Sequence, residues 1–121
     1  MGSAQVIDLT HLKLKIKADD IRNIISEKVD FLLFKTMNSK YWKKNSFVEN
    51  FIYFDKSAAE LIADYKPTGV GIDYMSVDAY DTKTPVAHNA FFLNEILVYE
   101  GLNLNLINDG FYYFIGLPLN I

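Results

Sequence analysis

The side chains able to do chemistry crowd into one stretch of the chain, Asp73 to Glu100, which holds Asp73, Ser76, Asp78, Asp81, His88, Glu95 and Glu100. His88 stands just before an apolar helical run. Glu100 interrupts the apolar run Leu97-Val98-Tyr99-Glu100-Gly101-Leu102. A carboxylate in such a run is costly to bury unless it is paired or coordinates a cation. An imidazole and a carboxylate that converge can bind zinc. Spacing alone leaves a second reading open, in which Glu100 sits at a solvated strand edge and His88 is an ordinary histidine at a helix start.

Other chemistries are excluded or unsupported. With no cysteine in 121 residues there is no disulfide, thiolate metal site or cysteine nucleophile. Gly-x-Ser-x-Gly, phosphate-loop, Gly-x-Gly-x-x-Gly and His-Glu-x-x-His patterns are all missing. Gly69-Val70-Gly71 lies in a strand entry and opens no helix, so it does not read as a phosphate cradle. Net charge is −3, and the densest basic group is Lys40, Lys43 and Lys44 around Tyr41 and Trp42. That is a solvated helix end or loop, so nucleic acid is not an expected partner. No apolar run approaches the roughly 20 residues of a membrane span, so no membrane partner is expected. Met1 to Gln5 shows no basic region leading into an apolar stretch. The expected location is the cytoplasm.

The elements that must position these residues follow an α/β order. Gln5 to Leu9 reads as a strand, and Leu14 and Ile16 alternate with charges over Lys13 to Lys17 as a half-exposed extension. Asp19 and Asp20 open a helix whose apolar face is Ile21, Ile24 and Ile25. Asp30 to Thr36 contains Phe31-Leu32-Leu33-Phe34, the pattern of a strand buried on both faces. Met37 to Phe54 is a long loop with one helical turn. Ser57 and Glu60 form a capping box for a helix over Lys56 to Tyr65, which Pro67 and Gly69 end. Val70 to Tyr74 is a strand, Asp73 to Pro85 a polar loop, Pro85 to Glu95 a short helix, and Ile96 to Leu102 a strand. Asn108-Asp109-Gly110 is a turn, and Phe111 to Leu119 the last strand. The expected fold is a single α/β domain with a mixed sheet of about five strands and about three helices. The chain starts almost on a strand and stops at Ile121 with a strand still running, as expected of part of something longer.

These segments resemble the cyclase family, which includes bacterial kynurenine formamidases. Gly71-Ile72-Asp73-Tyr74-Met75-Ser76-Val77-Asp78 is similar to the family's Gly-Ile/Val-Asp-x-x-Ser-x-Asp. Pro85-Val86-Ala87-His88-Asn89-Ala90-Phe91-Phe92-Leu93 is similar to Pro-x-x-His-x-x-Leu-Leu. Ile96 to Leu102 is similar to Ile-x-Ile-x-Glu-Gly/Asn-Leu, and Phe114 to Leu119 to the Ala-Leu-Pro-Leu strand. Upstream, Val6-Ile7-Asp8-Leu9-Thr10 and Phe31-Leu32-Leu33-Phe34-Lys35-Thr36 resemble the family's Val-Ile-Asp-Leu and Leu-Leu-Arg-Thr strands.

The resemblance implies a share of a swivelling β/β/α fold and metal-dependent hydrolysis of an amide, as in N-formylkynurenine cleavage. The implied metal is zinc, sometimes manganese, and often a pair. His88 and Glu100 match the ligands that complete the second metal. Asp73, Ser76 and Asp78 are expected to shape the loop beneath the site. The primary His-x-Gly-Thr-His-x-Asp motif and the proton-transfer histidine that follows it are missing. The only other histidine, His11, matches no ligand position. A catalytic zinc needs about three protein ligands and a water, and two candidates are present. The expectation is a partial cyclase domain over residues 1–121 that lacks the N-terminal metal-binding half, binds metal weakly, and is incomplete or inactive alone. Its substrate class would be a small-molecule amide, and it would form homo-oligomers. The alternative is a non-catalytic remnant acting as an oligomeric interaction protein.

Overall fold

In the computed structural model the described residues are 1–116. The elements in chain order are β1 (Gly2–Asp8), α1 (Ala18–Ile21), β2 (Phe31–Lys35), a 3-10 helix (Met37–Lys43), α2 (Lys56–Tyr65), β3 (Gly69–Ile72), α3 (Val86–Leu93), β4 (Leu97–Tyr99) and β5 (Gly110–Phe114). They build one five-stranded sheet in the order β4-β3-β2-β1-β5. The first four strands run parallel and β5 closes antiparallel on β1, with Ala4 opposite Tyr112. The mixed sheet and α/β order expected from the sequence are both present.

The order explains the layering. Each crossover from β1 to β4 steps one strand in the same direction, and crossovers of one hand then place their helices on one face. That face carries the larger core, in which Leu32, Phe34, Val70 and Ile72 from the sheet meet Ile21, Ile62 and Phe91 from the helices. Strand alternation sends Ala4, Val6, Phe31 and Leu33 to the opposite face. There Tyr99, Leu102, Ile107 and Phe114 pack over them. β2 is thus covered on both faces, which is why Phe31-Leu32-Leu33-Phe34 is apolar without alternation.

Several local expectations are corrected. The capping residue of α2 is Asp55, whose side chain accepts from the Ala58 N–H. Ser57 instead donates to Asp55 and accepts from the Ala18 N–H, tying α2 to α1. The stretch before α1 forms only an isolated bridge, Ile16 to Phe54. α1 ends at Ile21, and Ile24 is exposed while Ile21 and Ile25 are buried. The long loop carries a 3-10 helix of seven residues. Asn38, fully buried, donates to the Ile52 carbonyl and accepts from the Ile52 N–H, so one amide side chain pins that loop as a strand partner would. β4 stops at Tyr99, so Glu100 lies just beyond the strand and not within it. The expected strand through Leu119 is β5 as far as Phe114, and Leu117-Pro118-Leu119 lies outside the described residues.

Candidate metal centre

Three segments at the ends of parallel strands converge. The loop after β3 supplies Asp78, the first turn of α3 supplies His88, and the residue after β4 supplies Glu100. Loops at one end of a parallel sheet are where α/β folds assemble sites.

Asp78 is almost wholly buried, with 4% of its side chain exposed. Its carboxylate accepts from the backbone N–H groups of Ala87 and His88 at 2.8 and 2.9 Å. These belong to the first turn of α3, whose capping position is Pro85, a residue with no side-chain acceptor. Asp78 therefore supplies from outside the helix the acceptor its own cap cannot. The same Oδ2 lies 2.6 Å from Nδ1 of His88.

The other ring nitrogen, Nε2, lies 2.8 Å from Oε2 of Glu100. His88 and Glu100 are 24% and 30% exposed, so the pair is reachable from solvent. Glu100 Oε2 also accepts from the Val77 N–H. The turn that aims it is made by Gly101, at φ 79°, whose N–H donates to the Tyr74 carbonyl. A left-handed φ of this kind suits glycine. Both carboxylate–imidazole contacts, with the Val77 N–H bond to Glu100, thus rest on one loop, residues 73–78, held against both α3 and the end of β4.

The loop has its own anchor. Asp73 is fully buried at the end of β3. It accepts from the backbone N–H and hydroxyl of Thr36 and from the backbone N–H and hydroxyl of Ser39. Burial pushes its carboxyl above the ordinary range, against the lowering pull of the Ser39 and Thr36 hydrogen bonds. The Trp42 indole N–H lies 3.2 and 2.9 Å from the carbonyls of Asp73 and Leu102, bridging the loop to the chain beyond Glu100.

A carboxylate can only accept hydrogen bonds. With Asp78 on one side and Glu100 on the other, the ring faces acceptors at both nitrogens. The short Nε2–Oε2 contact is favourable when a proton or a cation lies between the two atoms. The donor chemistry, one imidazole nitrogen and one carboxylate oxygen with a second carboxylate behind the ring, fits a share of a divalent metal site. It is a share only. Among the described residues no group of three or more His, Cys, Asp or Glu is placed to hold a metal ion. His88 and Glu100 come together, Nε2 to Oε2. Ser76 accepts from the Asp78 N–H and stays a loop residue. His11 lies by Asp8 after β1 and makes no contact with this centre; burial raises the Asp8 carboxyl, but Thr10, Lys35 and His11 together bring it below its ordinary value. Sequence reasoning placed Asp78 in the loop and missed its grip on His88. A polar residue beside an apolar helix start that has no capping side chain was the available signal.

Fold and centre together define an α/β domain carrying an imidazole–carboxylate donor pair at a strand-end loop cluster. The chain belongs to the cyclase family, whose model, described as "Putative cyclase", matches residues 1–79. It is 31% identical over 119 residues to a kynurenine formamidase of Bacillus cereus (strain ZK / E33L), covering 98% of this chain and 56% of that protein. It is 33% identical over 125 aligned positions to cyclase-like protein 2 of Arabidopsis thaliana, covering 99% of this chain and 45% of that protein. A solved structure described as a potential metal-dependent hydrolase with cyclase activity superposes with a TM-score of 0.83 at 33% identity, over 93% of this chain and 54% of that one. The chain spans about half the length of the relatives it matches. No helix among the described residues is long and apolar enough to cross a membrane.

Proposed function

We propose that this chain is one portion of a metal-dependent amide hydrolase of the cyclase type, acting on a formamide or similar small-molecule amide. The carrying observation is the 2.8 Å approach of His88 Nε2 to Glu100 Oε2, with Asp78 behind the ring. His88 and Glu100 would hold the metal, zinc or manganese. When bound, that metal would supply Lewis acidity and an activated water. A site of this kind needs about three protein ligands, so two donors call for more from another polypeptide segment, in cis or from a second subunit. The kynurenine formamidase and metal-dependent hydrolase relatives support the reaction class.

The test is complementation. This chain is co-expressed with the part of a kynurenine formamidase that carries His-x-Gly-Thr-His-x-Asp, then dialysed and assayed for metal and formamide hydrolysis. The expected result is substoichiometric zinc and no turnover for the chain alone, with both restored in the pair. Tight stoichiometric zinc and turnover by the chain alone would refute its incompleteness. A complemented pair that neither holds metal nor turns over would sink the hydrolase reading.

One observation favours a second reading, a non-catalytic protein that works by self-association. Leu93 at the end of α3, Leu97 on the end strand β4, and Phe111 and Tyr113 on the other end strand β5 are all exposed. Exposed apolar side chains along sheet edges suit interfaces. Light scattering distinguishes the two: a homo-oligomer that survives complementation without gaining metal supports this second reading.

A further inference from the structure

The centre contains a buried carboxylate, Asp78, that is not itself one of the donor pair yet grips a member of it. We infer that Asp78 is the positioning residue of the His88–Glu100 pair, fixing the His88 ring in the Nδ1–H tautomer so that the Nε2 lone pair is presented toward Glu100. This rests on the reading of His88 and Glu100 as a donor pair.

Three facts carry it. Asp78 is buried and therefore cannot exchange its partners for water. Its two oxygens are committed, Oδ1 to the Ala87 N–H and Oδ2 to the His88 N–H and Nδ1. All three groups facing it must then be donors, which places a proton on Nδ1. The remaining nitrogen points at Glu100, which also only accepts, but Glu100 is 30% exposed and can turn to water while Asp78 cannot, so the single proton of a neutral ring is held on the Asp78 side. Backbone and side chain of His88 are gripped by one oxygen, so the ring's orientation is coupled to the start of α3. Histidines that bind metals through one nitrogen commonly rest the other on a carboxylate, which sets tautomer and direction.

Asparagine at 78 breaks this arrangement in a defined way. An amide has one acceptor oxygen for three donors, and its NH2 group must face one of them. The favoured relief puts the imidazole proton on Nε2, with the amide NH2 donating to a bare Nδ1. The nitrogen that faces Glu100 then carries a hydrogen and cannot ligate.

The protein has two histidines, so His11→Ala leaves a single imidazole to observe. Long-range proton–nitrogen spectra of the protein after chelator treatment, on the alkaline side of imidazole titration, report the tautomer directly. The expected spectrum is Nδ1–H in His11→Ala, moving toward Nε2–H in His11→Ala/Asp78→Asn with the backbone amide spectrum still folded. A role limited to capping α3 would leave the tautomer unmoved. An Nε2–H tautomer in His11→Ala overturns the assignment, as does a folded double variant whose tautomer is unchanged. If the double variant does not fold, the His11→Ala spectrum alone decides. The readout needs neither metal nor turnover, so Nδ1–H in a chain whose complemented pair neither holds metal nor turns over would refute the proposed function and leave the positioning role intact.

Discussion

His88 and Glu100, twelve residues apart in the chain, bring Nε2 and Oε2 to 2.8 Å of each other. α3 and β4 are packed against each other between them, with Ile96 and Phe91 buried in the same core. The pair is therefore a product of one helix–strand junction. Its existence depends on that junction's packing as much as on the two side chains.

Removing either donor should abolish whatever metal the complemented protein binds. His88→Ala and Glu100→Ala are expected to drop bound zinc to background, measured by metal analysis after dialysis. Glu100→Gln is the sharper probe. Its amide oxygen can still accept from the Val77 N–H, so thermal stability should change little while metal is lost. Equal metal in Glu100→Gln and the unaltered protein would exclude Glu100 as a ligand.

Asp73 predicts a pH effect of known sign. Its folded carboxyl is held above the ordinary value by burial, although Ser39 and Thr36 pull it down. The folded state thus binds this proton more readily than the unfolded chain. The stability it contributes is full below the unfolded value near 3.8 and is lost as pH rises through the folded value. Asp73→Asn should cost about 1–3 kcal/mol at neutral pH, because one amide oxygen cannot accept from four donors. The cost should grow as pH falls, since the unaltered protein gains stability there. Urea unfolding of both proteins at several pH values checks this, and parallel curves would refute it.

Two residues in the first half of α2 and its cap offer a discriminating pair. Asp55→Ala should destabilise by about 1 kcal/mol through loss of the cap to the Ala58 N–H. Glu60→Ala should cost only a few tenths, about the value of an exposed helix pair with Lys56. A capping box at Ser57 and Glu60 would give Glu60 the larger effect, so the ranking of the two thermal shifts decides between the geometries.

Phe91 ties the site helix to the sheet. It is fully buried and packs edge-to-face on Phe54, which does the same on Phe34. Phe91→Ala should cost about 3–5 kcal/mol, the usual penalty for such a cavity. Because Phe91 sits one turn beyond His88, the variant should also broaden the His88 ring signals in proton spectra before global unfolding. Sharp, unshifted His88 signals in a destabilised variant would argue that α3 does not need this contact to present the ring.

The sequence by itself determined the α/β order, the doubly covered strand Phe31–Phe34, the helix over Lys56 to Tyr65, the family, and the identity of the His88 and Glu100 pair. The first three are written in composition and periodicity, which chain-local reading can detect; the family and the His88 and Glu100 pair rest on motifs that resemble the cyclase family's, because spacing alone leaves the pair open. Tertiary structure alone decided which side chains serve them. Asp78 on His88 spans ten residues, Asp73 on Thr36 thirty-seven, and Trp42 on Leu102 sixty. Ser57 reads as a helix cap from its neighbours, yet the fold gives that role to Asp55 and turns the serine toward Ala18. The physical reason is the same in each case. A buried hydrogen-bonding group takes the partner that packing places within about 3 Å, and sequence separation does not enter that distance.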